Sequence, residues 1–348
     1  MGGGKREILR RFHVLSRLAR AAAFHFAYRA YAWAIACARQ NPPSKQAALA
    51  LRRRLEQLFD EDWRDAEAGY YPRALIGRLP WREYASVVPR LFIDVPRRRR
   101  RIRRENFFDL PDAAQPQRYP EYYARNFHFQ TDGYLGDTSA ALYDLQVELL
   151  FAGTADAMRR RMIRPVVRFA RSQPPPRRPL RMLDVACGTG HLLEMMSAAL
   201  GDAVTLCGLD LSPHYLARAR KILPRKLEVS LVCDNAERLP FPDGHFDVVT
   251  NAFLLHEVPR EVRGRVIAEM ARVLRPGGLL VVADSIQLAD APELREQILD
   301  FPVRYHEPYY LDYLNDDLPR RLRAAGLRVL EERSSFVTRV VTAERLQQ

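Results

Sequence analysis

The chain has 348 residues, of which 28% are charged, and carries a net charge of +13 at pH 7. A chain of this length can bury the core of one large domain, or of a domain with a sizeable extension. Lys and Arg outnumber Asp and Glu by 32 to 18 in residues 1–175, but the remainder holds 23 against 24. The basic excess therefore lies in the N-terminal half, and the charge gives no reason to expect nucleic-acid binding by the C-terminal half.

The most apolar stretch of the N-terminal half is residues 21–38, AAAFHFAYRAYAWAIACA. Arg29 stands at its centre and the many alanines lower its hydrophobicity, so we expect no membrane-spanning helix. The stretch also lacks a leucine-rich core with an A-x-A cleavage pattern, which excludes a secretory signal peptide.

The cysteines give no sign of a metal site or a redox motif. Cys37, Cys187, Cys207 and Cys233 form no C-x-x-C pair and have no zinc spacing. Cys207 and Cys233 fall inside apolar runs, where a reduced, buried thiol is the usual state. We therefore predict a reducing, cytoplasmic environment and no bound metal.

Three regions follow one another along the chain, and the first two are predicted to be helical. The first region is basic and aromatic, and its prolines at Pro42, Pro43 and Pro72, with the run 96–101, are expected to break it. In the second region the periodicity predicts one helix over residues 138–170, interrupted at Gly153. The stretch SQPPPRRP cannot be helical, because proline lacks the amide donor and restricts the residue before it. The predicted domains are a basic, mainly helical extension (1–125), a lid helix with a proline-rich linker (126–179) and an α/β domain (180–348).

From Leu180 onward short apolar runs alternate with helical segments. The runs LRMLDVA, VTLCGLD, LEVSLVCD, HFDVVTNAF and GGLLVVADSI predict five strands, which alternation with helices makes parallel and covered on both faces. The chain ends with a predicted helix over residues 311–326 and two more strands, LRVLEERSSF and TRVVTAE, expected to run antiparallel. The fold class is therefore α/β, with a mostly parallel sheet of seven strands.

A glycine-rich turn, DVACGTGHL (184–192), joins the first strand to the first helix. Gly188 and Gly190 allow the backbone to approach a ligand, and ligands of open α/β sheets bind at this edge. A tight turn without a ligand is the alternative. An NAD fingerprint would need a third glycine where Leu193 stands. Asp210, at the end of the second strand, suits ribose hydroxyls, and it also suits the cap of the helix that follows.

These motifs, together with CDNAERLPFPDGHFDVVTNAFLLHEV (233–258) and RPGGLLVVAD (275–284), resemble the class I S-adenosylmethionine-dependent methyltransferases. The resemblance is to the type 11 group, which includes the ubiquinone and menaquinone C-methyltransferases, and it covers about 110 residues from Leu180 in five motifs of matching order. It implies a Rossmann-like fold and S-adenosylmethionine as the cofactor. Ala186 stands where the family usually has the first glycine of the loop.

The resemblance also implies a role for each motif residue. The loop 186–190 and Asp184 hold the methionine moiety, Asp210 and Leu211 the ribose, the segment 234–236 the adenine edge, and Asn251 lies beside the sulfonium. The cofactor-binding residues implied are Asp184, Ala186, Cys187, Gly188, Thr189, Gly190, Asp210, Leu211, Asp234, Asn235, Ala236 and Asn251.

The acceptor is expected to contact segments outside this core. The motif ALYD resembles the helix that precedes the cofactor domain in the quinone C-methyltransferases, which implies that Tyr143 and Asp144 lie over the cofactor. A predicted loop, residues 300–314, is rich in tyrosine and suits a flat or greasy acceptor. Packing explains these aromatic residues equally well. The predicted acceptor residues are Tyr134, Tyr143, Tyr305, His306 and Tyr309.

His256 follows the fourth strand and is the best candidate for a general base, because histidine titrates near neutrality. Tyr143 is the second candidate for a catalytic role. The residues Asn251, Ala252, Phe253 and Leu254 do not match the D/N-P-P-Y motif with which base N-methyltransferases grip a flipped amino group. The sequence therefore favours a small acceptor over nucleic acid.

Seven arginines occupy eight positions in the run 97–104. A solvated charged surface, RNA binding and contact with anionic membranes are all compatible with this run. We predict methyl transfer to a small, lipophilic or aromatic acceptor by C- or O-methylation. The alternatives are an RNA or protein methyltransferase that uses the arginines, and a cofactor-binding protein without catalysis.

Overall fold

The computed structural model describes residues 3–34, 43–78, 80–112, 115–174, 178–225 and 227–347. They form two compact units. The N-terminal unit comprises Met1–Met158 and Glu293–His306, and the C-terminal unit comprises Arg159–Pro292 and Glu307–Gln348. Cys37, Pro42 and residues 175–177 of the proline-rich linker lie outside the described residues. The three domain boundaries drawn from the sequence stay predictions.

The N-terminal unit is built from helices. Its core joins aromatic side chains of the first helix to apolar side chains of the fourth and fifth, among them Tyr28, Leu91 and Leu145. Such a core forms where each helix turns one apolar stripe inward. In chain order its helices are α1 (Gly3–Ala34), α2 (Lys45–Glu67), α3 (Ala74–Gly77), α4 (Trp81–Arg104), α5 (Asp137–Leu150), the start of α6 (Ala155–Arg160) and, from the later segment, α11 (Arg295–Tyr305).

The break expected at residues 96–101 is wrong, because α4 continues through both of its prolines. Pro89 and Pro96 lie seven residues apart and are both exposed. A proline inside a helix leaves the carbonyl four residues earlier without its donor. Ala85 and Phe92, whose carbonyls lose their donors, are exposed residues on this outer face, where water can replace the donor.

The single helix predicted over residues 138–170 is also wrong in part. The break near Gly153 is confirmed, since α5 ends at Leu150 and Gly153 has a φ of +72. A second break separates α6 from α7 (Ile163–Ser172). A β-carbon on Gly153 would lie 2.9 Å from the ring of Phe24 in α1. The close approach of α1 therefore explains why a glycine stands at the first break. The sequence predicted this break from the glycine and not from the spacing of apolar residues.

The C-terminal unit contains one sheet of seven strands in the order β3-β2-β1-β4-β5-β7-β6. Strands β1 to β5 are parallel to one another, and β7 runs antiparallel to its two neighbours, β5 and β6. This confirms the predicted fold class and the antiparallel final pair. The strands are β1 (Leu180–Val185), β2 (Val204–Asp210), β3 (Val229–Cys233), β4 (Phe246–Ala252), β5 (Leu274–Ser285), β6 (Leu327–Ser335) and β7 (Thr338–Arg345).

Helices connect β1 to β2, β2 to β3 and β4 to β5, as crossovers between parallel strands usually do. They are α8 (His191–Leu200), α9 (Pro213–Ile222) and α10 (Arg260–Val273). The segment after β5, expected to be a loop at residues 300–314, is largely helical, because α11 (Arg295–Tyr305) and α12 (Tyr310–Leu314) occupy most of it. The helix predicted over residues 311–326 is divided into α12 and α13 (Leu318–Ala324), with Asp317 capping α13.

Among the described helices we find none that is both long and apolar enough to cross a membrane.

Candidate functional site

The turn after β1 has the conformation that its glycines predict. Gly188 and Gly190 have φ values of +54 and +83, and Ala186 also adopts a left-handed φ of +57. The amide of Cys187 donates to the carbonyl of Leu209 in β2 at 3.0 Å. A left-handed alanine costs free energy, and such strain is common at ligand sites.

The two loop glycines have different roles. A β-carbon on Gly188 would meet no protein atom within 4 Å, whereas one on Gly190 would lie 3.2 Å from the β-carbon of Ala219 in α9. Gly188 therefore faces open space, and Gly190 allows α9 to pack closely. Sequence analysis missed a third glycine, Gly208 in β2, where a β-carbon would lie 2.8 Å from the Cys187 sulfur. A glycine inside an apolar strand is the signal for such a close approach.

Asp210 holds the loop in place through its carboxylate. Oδ2 accepts a hydrogen bond from the amide of Gly188 at 2.9 Å, and Oδ1 accepts one from the amide of Ser212 at 2.8 Å. The cap of α9 is the Ser212 hydroxyl, which accepts from the amide of Tyr215. Burial raises the pKa of Asp210 to about 6, although these backbone donors lower it. Each oxygen keeps a lone pair for a further donor, such as a ligand hydroxyl.

Asp184 lies beside Asp210 at the same edge of the sheet. Its carboxylate is 2% exposed and accepts a hydrogen bond of 2.7 Å from the Thr250 hydroxyl. The pKa of Asp184 is raised to about 7, because burial and the nearby Asp210 charge raise it by more than the hydrogen bond from Thr250 lowers it. Sequence analysis missed Thr250, whose role follows from its register opposite Asp184 in the β1–β4 pair.

Asn251, the last residue but one of β4, has one side-chain polar atom with a hydrogen-bond partner and one without. Nδ2 donates to the carbonyl of Val185 at 2.8 Å, but Oδ1 has no hydrogen-bond partner among the described residues, although the side chain is fully buried. An unsatisfied buried acceptor is costly, so a ligand donor here would be favourable. Two residues later Phe253 has a φ of +59, a second strained position at this edge.

The segment 234–236 follows β3 directly. The amide of Asp234 donates to the carbonyl of Asp210 at 3.2 Å, which brings the ends of β2 and β3 together. The Asp234 carboxylate is exposed and accepts from the amide of Asn235, whose own Oδ1 accepts from the amide of Glu237. The residues predicted to bind the cofactor therefore converge on one edge, although their contacts with the cofactor stay predictions. Leu211 and Ala236 are half-buried beside them.

His256 is paired with a carboxylate that sequence analysis did not identify. Its Nδ1 lies 2.5 Å from Oδ1 of Asp284, and both side chains are buried. Burial lowers the pKa of His256, but the Asp284 charge and hydrogen bond, with Glu307 and Glu257, raise it by more, to about 9. At neutral pH this histidine is an imidazolium, which works against the predicted role as a general base.

Two aromatic rings of α12 lie against His256, those of Tyr310 and Tyr313, with centroid distances of 5.4 and 6.1 Å. The buried Arg263 fixes this helix, since it donates to the Leu255 carbonyl at 2.7 Å and to the Asp312 carboxylate at 3.1 Å. The spacing of three residues on one helix is the signal that could have found this tyrosine pair.

The predicted acceptor residues fall in both units. In the N-terminal unit the Tyr134 and Tyr143 rings are 6.4 Å apart, and the Tyr305 and Tyr28 hydroxyls are hydrogen-bonded. The His306 ring, also in this unit, stacks on Phe107 at 3.7 Å, and burial and the Arg125 charge lower its pKa to about 4. Tyr309 belongs to the C-terminal unit, where it precedes α12. Their roles towards an acceptor stay predictions, as does the catalytic role of Tyr143.

Residues 182–278 match the family described as a methyltransferase domain. The chain is 35% identical over 130 residues to a demethylmenaquinone methyltransferase of Lysinibacillus sphaericus, which covers 37% of this chain and 54% of that protein. It is 34% identical over 166 residues to the ubiquinone/menaquinone biosynthesis C-methyltransferase UbiE of Burkholderia cenocepacia, covering 47% of this chain and 64% of that protein. The chain thus spans between half and two thirds of the length of these relatives.

Proposed function

We propose that this chain, whose C-terminal unit is a class I S-adenosylmethionine-dependent methyltransferase domain, transfers the methyl group of S-adenosylmethionine to a small, lipophilic or aromatic acceptor. The observation that carries the proposal is the edge of the sheet where Asp184, Asp210 and Asn251 converge beside the open face of Gly188. Buried carboxylates and an unsatisfied amide oxygen suit a ligand that is rich in hydroxyl and ammonium donors.

S-adenosylmethionine fits this donor and acceptor pattern. Asp210 keeps lone pairs for the two ribose hydroxyls after accepting from Gly188 and Ser212. Asp184 and the Oδ1 atom of Asn251 would accept from the ammonium of the methionine moiety, which would also satisfy an otherwise orphaned oxygen. The positive charge of that ammonium would offset the cost of keeping Asp184 ionised.

The bound cofactor would supply a methyl group on a positively charged sulfur, which is reactive without further activation. The residues of the chain would then chiefly have to align the acceptor with that methyl group and exclude water. We assign His256 to an acceptor oxygen that carries negative charge, because its pKa of about 9 keeps it protonated at neutral pH. Tyr310 would offer a flat apolar surface next to it.

C-methylation of a quinone-like ring is the specific form of the reaction that we favour. The similar proteins include methyltransferases named for demethylmenaquinone and for ubiquinone and menaquinone biosynthesis. A ring with an ionised hydroxyl has a nucleophilic carbon next to that oxygen, and the imidazolium of His256 would stabilise the oxygen anion.

Turnover with methyl-labelled cofactor tests the proposal. The full chain would be incubated with a reduced short-chain demethylmenaquinone, and separately with lipid, small-molecule, RNA and protein fractions of a cell extract. We expect label in the quinol and in the lipid or small-molecule fractions. Label confined to RNA or protein would overturn the small-acceptor assignment, and no transfer to any fraction despite cofactor binding would favour a binding protein.

Two matched variants identify the site in the same assay. Asp210→Ala removes the acceptor of the proposed ribose hydroxyls and should weaken cofactor binding by about 2–3 kcal/mol, or roughly 30–150-fold. Asp202→Ala removes an exposed carboxylate before β2 and should leave affinity and turnover at the wild-type level. Calorimetry measures both affinities. Equal affinities for the two variants would show that the ribose does not contact Asp210.

A further inference from the structure

The outer face of α1 is apolar along most of its length. Ile8, Phe12, Leu15 and Phe26 are 69%, 71%, 65% and 77% exposed. They are spaced four, three and eleven residues apart, so they share one face of the helix. The positions between them on that face are alanines that are also exposed: Ala19, Ala22, Ala23 and Ala30. This face, from Ile8 to Ala30, is about 33 Å long at the rise of an α-helix.

The opposite face of α1 already has its partners within the N-terminal unit. Arg17, Tyr28 and Tyr31 are buried there, and the Arg17 guanidinium lies 5.2 Å from the centroid of the Phe59 ring. The helix is therefore held by one face and presents the other outward. Contiguous exposed apolar surfaces of this kind mark sites of association.

Cationic side chains border the apolar face on α1, and the same unit exposes further arginines on α4. Arg11 and Arg29 are exposed beside it on α1. In the run 97–104, Arg98 and Arg101 are buried and donate to the carbonyls of His128 and Phe129. The remaining five arginines of the run are exposed: Arg97, Arg99, Arg100, Arg103 and Arg104.

We propose that the face of α1 from Ile8 to Ala30 inserts into the surface of an anionic lipid bilayer, with the exposed arginines of α1 and α4 on the phospholipid headgroups. Apolar side chains along one face with arginines beside them are the pattern of helices that lie in a membrane interface. A second copy of the chain would bring Arg11 and Arg29 against like charges, whereas anionic lipids neutralise them. A lipophilic acceptor would then be met in the bilayer, and only this last clause rests on the proposed function.

Flotation with lipid vesicles tests the contact on the wild-type chain. Vesicles of phosphatidylcholine with phosphatidylglycerol should carry the protein, vesicles of phosphatidylcholine alone should carry much less, and rising salt should release it. Failure to float with anionic vesicles at low salt would overturn the proposal, and so would equal binding to both vesicle types. A shift of RNA at physiological salt without any flotation would assign the arginines to nucleic acid instead.

Paired variants separate the contribution of the apolar face from that of the arginines. Phe12→Ser with Leu15→Ser should weaken vesicle binding about tenfold or more. Arg99→Gln with Arg100→Gln should weaken it about fivefold for each charge removed. The matched controls in the C-terminal unit are Leu330→Ser and Arg320→Gln with Arg323→Gln, all at exposed positions, and they should bind like the wild type.

Two further measurements make failure of the contact distinguishable from failure of the proposed function. Because the substituted side chains are exposed, circular dichroism and cofactor affinity should stay at the wild-type values, and turnover of a short-chain quinol without vesicles should also be unchanged. The wild-type chain could instead be a dimer that does not bind vesicles, and Phe12→Ser with Leu15→Ser could convert it to monomers. That outcome would overturn the proposal and show that a second copy covers α1. Vesicle binding without any turnover would uphold the membrane contact and overturn the enzymatic proposal alone.

Discussion

Both units bury arginines and carboxylates, but examples from the two units are held differently. In the N-terminal unit the buried Arg101 donates to the backbone carbonyl of Phe129 at 3.1 Å. In the C-terminal unit the buried carboxylates of Asp210 and Asp284 lie at the ends of strands and accept from backbone amides. An arginine that donates to a backbone carbonyl holds a segment without regular secondary structure in place. A carboxylate at a sheet edge still has lone pairs for a ligand.

The outer surfaces of the two units differ as well. Of the fourteen large apolar side chains that are exposed among the described residues, eleven belong to the N-terminal unit. That unit also lies in the half of the chain that carries the basic excess. The difference is the one that we expect if methyl transfer takes place in the C-terminal unit and the N-terminal unit contacts a membrane, as proposed above.

The largest effect we expect is on the stability of the C-terminal unit. Arg263→Met removes a fully buried guanidinium that donates to the carbonyls of Leu255 and Val258 and to the carboxylates of Asp312 and Asp316. Breaking a buried ion pair in this way should destabilise the unit by about 3–5 kcal/mol. Chemical denaturation gives the free energy, and hydrogen exchange should show the loss of protection near α10 and α12.

The counterpart in the N-terminal unit is Arg101→Met. Its carboxylate partner, Asp109, has a side chain that is 63% exposed and can rehydrate, so we expect only about 1–3 kcal/mol. Hydrogen exchange should locate this loss around residues 98–130. Arg260→Met, which removes an exposed partner of Asp312, is the control and should change little. Equal losses for Arg263 and Arg101 would contradict the contrast between the two units.

The second prediction concerns the charge of Asp184. Its pKa rises from the ordinary 3.8 to about 7 on folding, so the folded protein favours the protonated acid, and stability falls as the pH rises from about 4 to 7. Asp184→Asn removes this cost and should stabilise the ligand-free protein at pH 8 by about 2–4 kcal/mol. At pH 4 the two proteins should unfold alike.

The pH dependence of cofactor binding through Asp184 should be opposite in direction to the pH dependence of stability. Only the ionised Asp184 attracts an ammonium group, so wild-type affinity should fall as the pH drops below about 7, and Asp184→Asn should bind weakly at every pH. Asp202→Asn is the control in both assays. A variant that is stabilised at pH 8 and still binds as tightly as the wild type would remove Asp184 from the site.

Most of the sheet could be predicted from the sequence, but the pairing of particular side chains could not. The second strand begins and ends where the run VTLCGLD predicts. A mostly apolar run of this short length, bounded by polar residues, is typical of a buried strand. His256 and Asp284 are 28 residues apart and meet because β4 and β5 are neighbours that end at one edge. Local patterns do not contain that adjacency.

The N-terminal unit was harder to predict, for a physical reason. The rule that proline ends a helix holds where its lost hydrogen bond would be buried, but Pro96 lies on the outer face of α4. Which face is outer depends on the contact between α4 and α5, which the composition does not reveal. The contact between α4 and residues 127–129 turns Arg98 and Arg101 inward within a run of otherwise similar arginines.

The third prediction uses the two loop glycines as a pair. Both Gly188→Ala and Gly190→Ala place alanine at a left-handed φ, at a cost of about 1–2 kcal/mol each. Gly190→Ala should cost more stability, because its β-carbon would crowd Ala219 at 3.2 Å. Gly188→Ala should cost more cofactor affinity, because its β-carbon enters the space proposed for the ligand. Thermal denaturation and calorimetry should therefore rank the two variants in opposite orders, and one common order would contradict the assignment of that space.

The smallest effect is expected from relieving the strain at Ala186. Ala186→Gly replaces an alanine at a φ of +57 with the residue that adopts this conformation without strain. The relief of about 1–2 kcal/mol is partly offset by about 0.4–1 kcal/mol of extra entropy in the unfolded chain, which leaves a net gain of roughly 0–1.6 kcal/mol. Ala152→Gly is the matched variant in the N-terminal unit, where Ala152 has a φ of +51, and it should gain a similar amount. The two variants differ in what else they touch, since Ala186 lies in the loop predicted to hold the methionine moiety and Ala152 does not. Ala152→Gly should thus leave cofactor affinity unchanged, whereas a loss of affinity in Ala186→Gly together with a gain in stability would show that the strained alanine holds the loop ready for the ligand.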